Sequence, residues 1–311
     1  MKIAIVGAGG VGGYLGALLA RAGHEVVIIA RGEHLRAMRE SGIRVRSVHG
    51  DFTARPALVT DRPAEAGVAD LIVFTVKTYD TDEAAEAARP LAGSATLVLP
   101  LQNGVESAAR LAQVFGAARV LGGAVWVVVS VASPGVIVQE SQVRRLVFGA
   151  IEEPGATADR PDPRLSAVFA ALKSTGFAVE PSDAIAKVLW TKFLFIASVA
   201  GLTSVIRAPL GPILARPEGK DLLRRAMREV ESVARARGVA LDADVVEATM
   251  AFAAGLEPAT TSSMARDVAA GKRTEHDALC GAVVRFGREA GLQTPVHELC
   301  WTCLRILDAR T

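Results

Sequence analysis

The stretch "KIAIVGAGGVGGYLGALLARAGHEVVIIA", residues 2–30, constrains the chain more than any other. It holds Gly7, Gly9 and Gly12, a GxGxxG spacing, between an apolar run and a helical stretch. A second apolar run closes a unit of about 30 residues, which is the strand–turn–helix–strand context that dinucleotide binding requires. Gly7 suits the tight turn, Gly9 lets backbone approach a pyrophosphate, and Gly12 lets helix and strand pack closely. With Ala8, Gly10 and Val11 between them, these residues open a helix whose N-terminal amides and partial positive charge suit a phosphate.

Further apolar runs at 70–76, 95–100, 119–129, 143–149 and 177–180 follow, each bounded by turn residues. The earliest are short, continuous and β-branched, as in strands of a parallel sheet buried on both faces. Helical stretches at 11–23 and 80–93 separate them, so right-handed βαβ units and a doubly wound, Rossmann-type α/β sheet are expected. Residues 42–60 alternate apolar and polar around His49-Gly50, which reads as an antiparallel hairpin appended to that sheet. "EEPGATADRPDP" reads as a loop within the same domain. After Asp183 strand signals stop, and 183–201, 219–238, 244–255 and 274–291 carry helical spacing, most ending in glycine. Two domains are expected: 1–182, binding the dinucleotide, and an all-helical 183–311.

A net charge of +2, with no block of like charge, supports neither a nucleic-acid nor an anionic-membrane partner. The chain opens straight into a strand-like run and shows no uninterrupted apolar run of the ~18–20 residues that span a bilayer. A soluble, cytoplasmic protein is the expectation. Three cysteines do not make a disulfide framework. Cys300 and Cys303 form a CxxC, but the spacing equally puts both on one face of a terminal helix, and no second ligand pair supports a metal. The apolar run 188–206 can be covered by its own domain or by a second copy, which leaves a homodimer open.

The end of the second strand distinguishes dinucleotides. A carboxylate there bonds the ribose 2′-hydroxyl of NAD, whereas this chain has Arg31, whose guanidinium suits the 2′-phosphate of NADP(H). Glu33, two residues on, is the counter-indication.

Lys192 is the one charge in "LWTKFLFIAS", and an ammonium is costly to take out of water. A snorkelling lysine would explain it, as would a proton donor held in a dry cleft. Together with the glycine turn and Arg31, four further landmarks decide the matter: "FTVKTYDT" around Lys77, "LQNGVES" around Asn103, "LWTKF" itself, and "TSSMARDVAAGKRTE" from Thr261 to Glu275. In this order, nearly end to end, the chain resembles the ketopantoate reductase (2-dehydropantoate 2-reductase) family. The resemblance implies NADPH-dependent reduction of ketopantoate to pantoate, a step of pantothenate biosynthesis. It implies Lys192 as general acid, Glu275 beside it and the nicotinamide ribose, Ser263 on the substrate carboxylate, and Lys77 and Asn103 at strand ends where ligands sit. Glu275 is expected in the first turn of a helix capped by Thr274. Ser262 or Ser263 could instead simply cap a helix, and Asn103-Gly104 could be a plain turn.

The pattern breaks where the family's best-known form places three asparagines on the substrate. Here those positions hold Ile196, Ala200 and Leu210. Ser198, Thr203 or Ser204 could replace those handles, or the substrate is another branched or aromatic 2-oxo acid. Two rivals stay open on the same scaffold: an NAD-linked D-2-hydroxyacid dehydrogenase and a non-catalytic dinucleotide sensor. A methyltransferase is disfavoured by the missing acid at the second strand and by the helical second half.

Overall fold

The structure, a computed structural model, describes residues 1–151 and 163–308. It runs β1 (Lys2–Val6), α1 (Gly10–Arg21), β2 (Glu25–Ile29), α2 (Gly32–Ser41), β3 (Ile43–Ser47), β4 (Phe52–Ala54) and β5 (Leu58–Thr60). Then come β6 (Ala69–Phe74), α3 (Thr81–Ala88), β7 (Ala92–Pro100), α4 (Ser107–Phe115), β8 (Leu121–Trp126), β9 (Val129–Ser133), β10 (Val136–Gln139) and β11 (Arg145–Ala150). After the undescribed stretch follow α5 (Pro163–Lys173) and β12 (Ala178–Pro181). Helices alone occupy the remainder: α6 (Ile185–Ile206), α7 (Leu210–Leu214), α8 (Pro217–Ala236), α9 (Val245–Ala254), α10 (Ser263–Ala269), α11 (Ala282–Glu289) and α12 (Pro295–Asp308).

Contacts divide the chain into two compact units. The sheet unit holds residues up to Gln102 and from Ser107 to Ile185; the helical unit takes Asn103–Glu106 and everything from Ala186 on. In the sheet unit five strands lie in the order β5-β2-β1-β6-β7, all parallel. The order reverses between β1 and β6, the switch point outside which ligands bind in folds of this kind. Successive residues of these strands face opposite cores. Ile3, Ile5, Leu71, Val73, Leu97 and Leu99 pack with α1, while Ala4, Val6, Ile72, Phe74 and Val98 pack with α3 and α4. Burial on both faces is why the runs are apolar without alternation.

The expected hairpin forms, β3 against β4, but it is not appended to that sheet. It joins β10 and β9 in a separate four-stranded sheet, while β5 pairs in parallel with β2. The run 119–129 is not one strand either. β8 belongs to a three-stranded sheet, β12-β11-β8, and β9 turns into the four-stranded one. Periodicity does not show such a break, because both halves remain β-rich and only their partners change. The helices α2, α4 and α5 and the strand β10 go beyond the sequence reading; the loop read at 152–163 lies, for residues 152–162, outside the described residues.

In the helical unit α6 is apolar nearly all round, as a central helix must be. Phe193, Leu194, Ala197, Ala200 and Leu202 sit in one core with Met227 and Val230 of α8, Met250 of α9, and Val283 and Cys300. α6 is long and apolar enough to cross a membrane, yet 61% of its apolar window is buried inside the protein. The stretch 274–291 is not a single α-helix. A π-helical turn, Asp277–Gly281, precedes α11.

Candidate active site

The phosphate turn takes the form that its glycines allow. Gly7 has φ +101°, and a Cβ there would lie 2.6 Å from the Val76 nitrogen, so a side chain would be both strained and obstructed. A Cβ at Gly9 would meet nothing within 4 Å. That open space lies above the first amides of α1, a position whose N–H groups and partial positive charge suit an anion. Gly12 is closed from the other side by the Gly7 carbonyl and the Thr75 hydroxyl. Gly10 lies under the backbone of β9, whose Val129 oxygen would be 2.8 Å from a Cβ.

A cavity of about 390 Å³ opens at this turn, lined among others by Gly7, Gly9, Arg31, His34, Asp61 and Val131. The residues fit a dinucleotide, with a glycine cradle and helix N-terminus at one end and a cation at the other. Arg31 stands at the N-cap of α2, at the end of β2 as expected, and its guanidinium lies 2.9 Å from Glu83 of α3. Both side chains are exposed, so the pair is weak and easily opened. Glu33 occupies the exposed first turn of α2 and does not line the cavity. His34 was not singled out by the sequence. The Gly135 N–H donates to its Nδ1 at 2.9 Å, so its Nε2 carries the hydrogen and donates to the Ala8 carbonyl at 2.8 Å. The ring ties the phosphate turn to the β9–β10 connection. Lys77, half-buried, begins the turn after β6.

In the helical unit the sequence-distant Lys192, Asn103 and Glu275 come together. Lys192 Nζ donates to Asn103 Oδ1 at 3.3 Å. Burial lowers the lysine from its ordinary 10.5 to about 8, and the neighbouring charge of Glu275 opposes the fall. Lys187, five residues earlier, points elsewhere and pairs with Asp242 at 2.6 Å. The loop that carries Asn103 is held in place on both sides. Gly104 has φ +96°, and a Cβ there would stand 3.1 Å from the Ala278 carbonyl, while Glu106 receives Arg285 at 2.7 Å. Asn103-Gly104 is thus a turn whose side-chain amide also accepts from the lysine.

Glu275 is buried, but it does not sit in the first turn of a Thr274-capped helix. It precedes the π-helical turn, and its carbonyl accepts the N–H groups of Ala278 and Leu279. The Thr274 hydroxyl engages His276 and Asp308 instead. Ser262, not Ser263, caps α10 by accepting the Ala265 N–H at 2.9 Å. Ser262 also meets Thr203 Oγ1 at 3.1 Å. That leaves Ser263 exposed at the first position of α10.

Ile196 lies one turn beyond Lys192 and is half-buried, while Ala200 and Leu210 are in the core. Apolar residues at the last two positions therefore serve packing. Of the substitute handles, Thr203 is committed to the Val199 carbonyl and Ser262. Ser198 and Ser204 are buried with hydroxyls that have no hydrogen-bond partner among the described residues. The CxxC is not a pair: Cys300 engages Cys280, and that hydrogen bond together with burial raises the Cys280 thiol. Cys303 is only half-buried.

Residues 3–153 match the family model described as ketopantoate reductase PanE/ApbA, and residues 184–308 match its C-terminal model. A 2-dehydropantoate 2-reductase of Halobacterium salinarum is 33% identical over 298 residues, 95% of each chain. The uncharacterized oxidoreductase YkpB of Bacillus subtilis is 30% identical over 99% of both chains. Among solved structures, a PanE/ApbA family ketopantoate reductase from Ralstonia eutropha superposes with a TM-score of 0.90 at 34% identity, covering 100% of this chain and 99% of that one. A D-mandelate dehydrogenase with NADH and anilino(oxo)acetate shares the fold, with a TM-score of 0.89 at 20% identity over 100% and 99% of the two chains.

Proposed function

This chain belongs to the ketopantoate reductase family of dinucleotide-dependent oxidoreductases acting on CH–OH groups, and from that premise we propose that it uses NADPH to reduce a 2-oxo acid to the 2-hydroxy acid, ketopantoate foremost. The observation that carries the reading is the depressed, half-buried Lys192 amine held between Asn103 and the charge of Glu275.

Bound NADPH would supply the hydride; the rest falls to the protein. The turn Gly7–Gly12 and the start of α1 receive the pyrophosphate, and Arg31 takes the 2′-phosphate by exchanging its exposed partner Glu83. Lys77 contributes to cofactor binding. Ser263 holds the substrate carboxylate, and Asn103 orients both the ketone and the amine. As the ketone carbon accepts an electron pair its oxygen becomes an alkoxide. The Lys192 ammonium stabilises that charge and gives up its proton to it. An amine at about 8 is protonated at neutral pH yet gives its proton away far more readily than one at 10.5. Glu275 keeps the ammonium form populated and fixes its direction.

A second reading is an NAD-linked D-2-hydroxyacid dehydrogenase for branched or aromatic acids. Ile196 favours it, since an apolar side chain one turn beyond Lys192 gives a hydroxyl no partner and suits a bulkier apolar group. One steady-state panel tests both readings. Purified protein is mixed with NADPH or NADH and with ketopantoate, 4-methyl-2-oxopentanoate or phenylglyoxylate, and cofactor absorbance is followed. Turnover of ketopantoate with NADPH supports the first, and turnover of the bulky acids with NADH the second. No absorbance change with any pair refutes both and leaves a dinucleotide-binding sensor.

A further inference from the structure

Asn103 and Glu275 reach Lys192 from segments far apart in the chain, and one side chain outside the site joins those segments. Asn103 opens the loop Asn103–Glu106, which packs with the helical unit. Glu275 stands just ahead of the π-helical turn Asp277–Gly281. Arg285 of α11 bridges the two. Its Nη2 donates to Glu106 Oε2 at 2.7 Å and to the Asp277 carbonyl at 3.1 Å, one bond for each hydrogen of that nitrogen. One end of this strap is three residues from Asn103, and the other is two residues from Glu275.

Three features set the contact apart from the other arginine–acid pairs of the unit. Arg224 and Arg228 with Glu247, and Arg288 with Glu298, join helix to helix at the surface. Arg285 instead reaches a loop 179 residues earlier, and both its side chain and that of Glu106 are half-buried. The guanidinium is also packed onto the turn. A Cβ at Gly281 would stand 3.1 Å from Arg285 Nη1 and 2.8 Å from Trp301 Nε1. That indole donates to Asp277 Oδ1 at 2.6 Å, so α11 and α12 clamp the turn together. Finally, the backbone of the loop lies directly on the turn, since a Cβ at Gly104 would be 3.1 Å from the Ala278 carbonyl.

We infer that Arg285 is a positioning residue for the reduction, fastening the loop that carries Asn103 onto the turn that follows Glu275. It acts through Asn103 and not on the reacting atoms. The inference rests on the reductase reading, in which that amide orients the ketone and the lysine. A guanidinium–carboxylate contact open to water adds little to global stability. A misplacement of about 1 Å in a positioning group, by contrast, costs on the order of a hundredfold in rate. Loss of the strap should therefore show in the chemistry far more than in the melting temperature.

The test compares full-length wild type with Arg285→Met, Arg285→Lys, Glu106→Gln and the double variant Arg285→Met/Glu106→Gln, melting temperatures verifying that each is folded. Deuterium exchange of the peptide spanning 103–107 reads the loop without turnover, and should quicken about fivefold or more in Arg285→Met and in Glu106→Gln. Single-turnover reduction of ketopantoate or 4-methyl-2-oxopentanoate, normalised to bound cofactor, should slow about tenfold or more in the same two variants. The double variant should be no slower than Arg285→Met, because both changes remove one contact. Arg285→Lys, which keeps a charge for Glu106, should recover part of the rate. Unchanged exchange in that peptide overturns the strap. Quickened exchange with an unchanged rate, or losses that add in the double variant, overturns the positioning role. Absence of reduction by wild type is instead the failure of the reductase reading, and exchange then decides the strap by itself.

Discussion

Raising the pH through 8 should switch off 2-oxo acid reduction in the forward direction, and the size of the effect follows from one side chain. Lys192 sits at about 8 where an ordinary lysine sits at 10.5. That difference of about 2.5 pH units corresponds to about 3 kcal/mol, at about 1.4 kcal/mol per unit. At pH 7 about nine-tenths of the enzyme would carry the proton, and at pH 9 about one-tenth. Single-turnover hydride transfer, followed by cofactor absorbance so that product release does not mask it, should halve near pH 8 and fall about tenfold per unit above it. Glu275→Gln removes the charge that opposes the lowering, so the midpoint should move below 8. Stability supplies an independent check. The lysine's folded value lies below its unfolded one, so the charged amine costs the fold about 3 kcal/mol below pH 8. That cost fades between about 8 and 10.5. Wild type should therefore gain stability relative to Lys192→Met across that window, read from urea midpoints. A limb near 10.5, or a midpoint unmoved by Glu275→Gln, would refute the account of the amine.

Three further outcomes are expected. Arg31→Ala should raise KM for NADPH tenfold or more and leave that for NADH within about threefold, since a charge-assisted bond to the 2′-phosphate is worth about 1.5–3 kcal/mol; equal effects on both cofactors would remove Arg31 from the discrimination. Gly12→Ala places a methyl against the Gly7 carbonyl and Thr75, so dinucleotide binding measured by fluorescence should weaken sharply with a lowered melting temperature. Ser262→Ala removes the cap of α10 and should cost about 1 kcal/mol of stability. Ser263→Ala should cost almost none, yet raise KM for the 2-oxo acid; the reverse pattern would exchange their roles.

Where sequence and structure part company, the cause is pairing over distance. The hairpin 42–60 was legible from alternation and turn chemistry, but the sheet it joins depends on β10, some eighty residues on, whose four residues carry no signal of their own. Glu275 was legible as a partner of Lys192 only through the family pattern; the π-helical turn that sets it ahead of a helix is a packing outcome. Gly201 illustrates this, since a Cβ there would lie 2.9 Å from Cys280 in that turn and 3.3 Å from Cys300. That Cys300 meets Cys280 was not legible either, because spacing along a chain says nothing of the thiol that arrives from another helix.

The residue string alone determined the phosphate turn, since glycine at 7 and 12 is a local steric demand that neighbouring residues announce. It also determined the parallel sheet and the helical second half, because burial on two faces or around a helix axis writes itself into the pattern of apolar positions. Only the folded chain decided which serine caps a helix, that Arg31 pairs with Glu83, and that His34 braces the turn. Those are contacts between side chains whose order along the chain is unrelated to their separation in space, so no local rule encodes them.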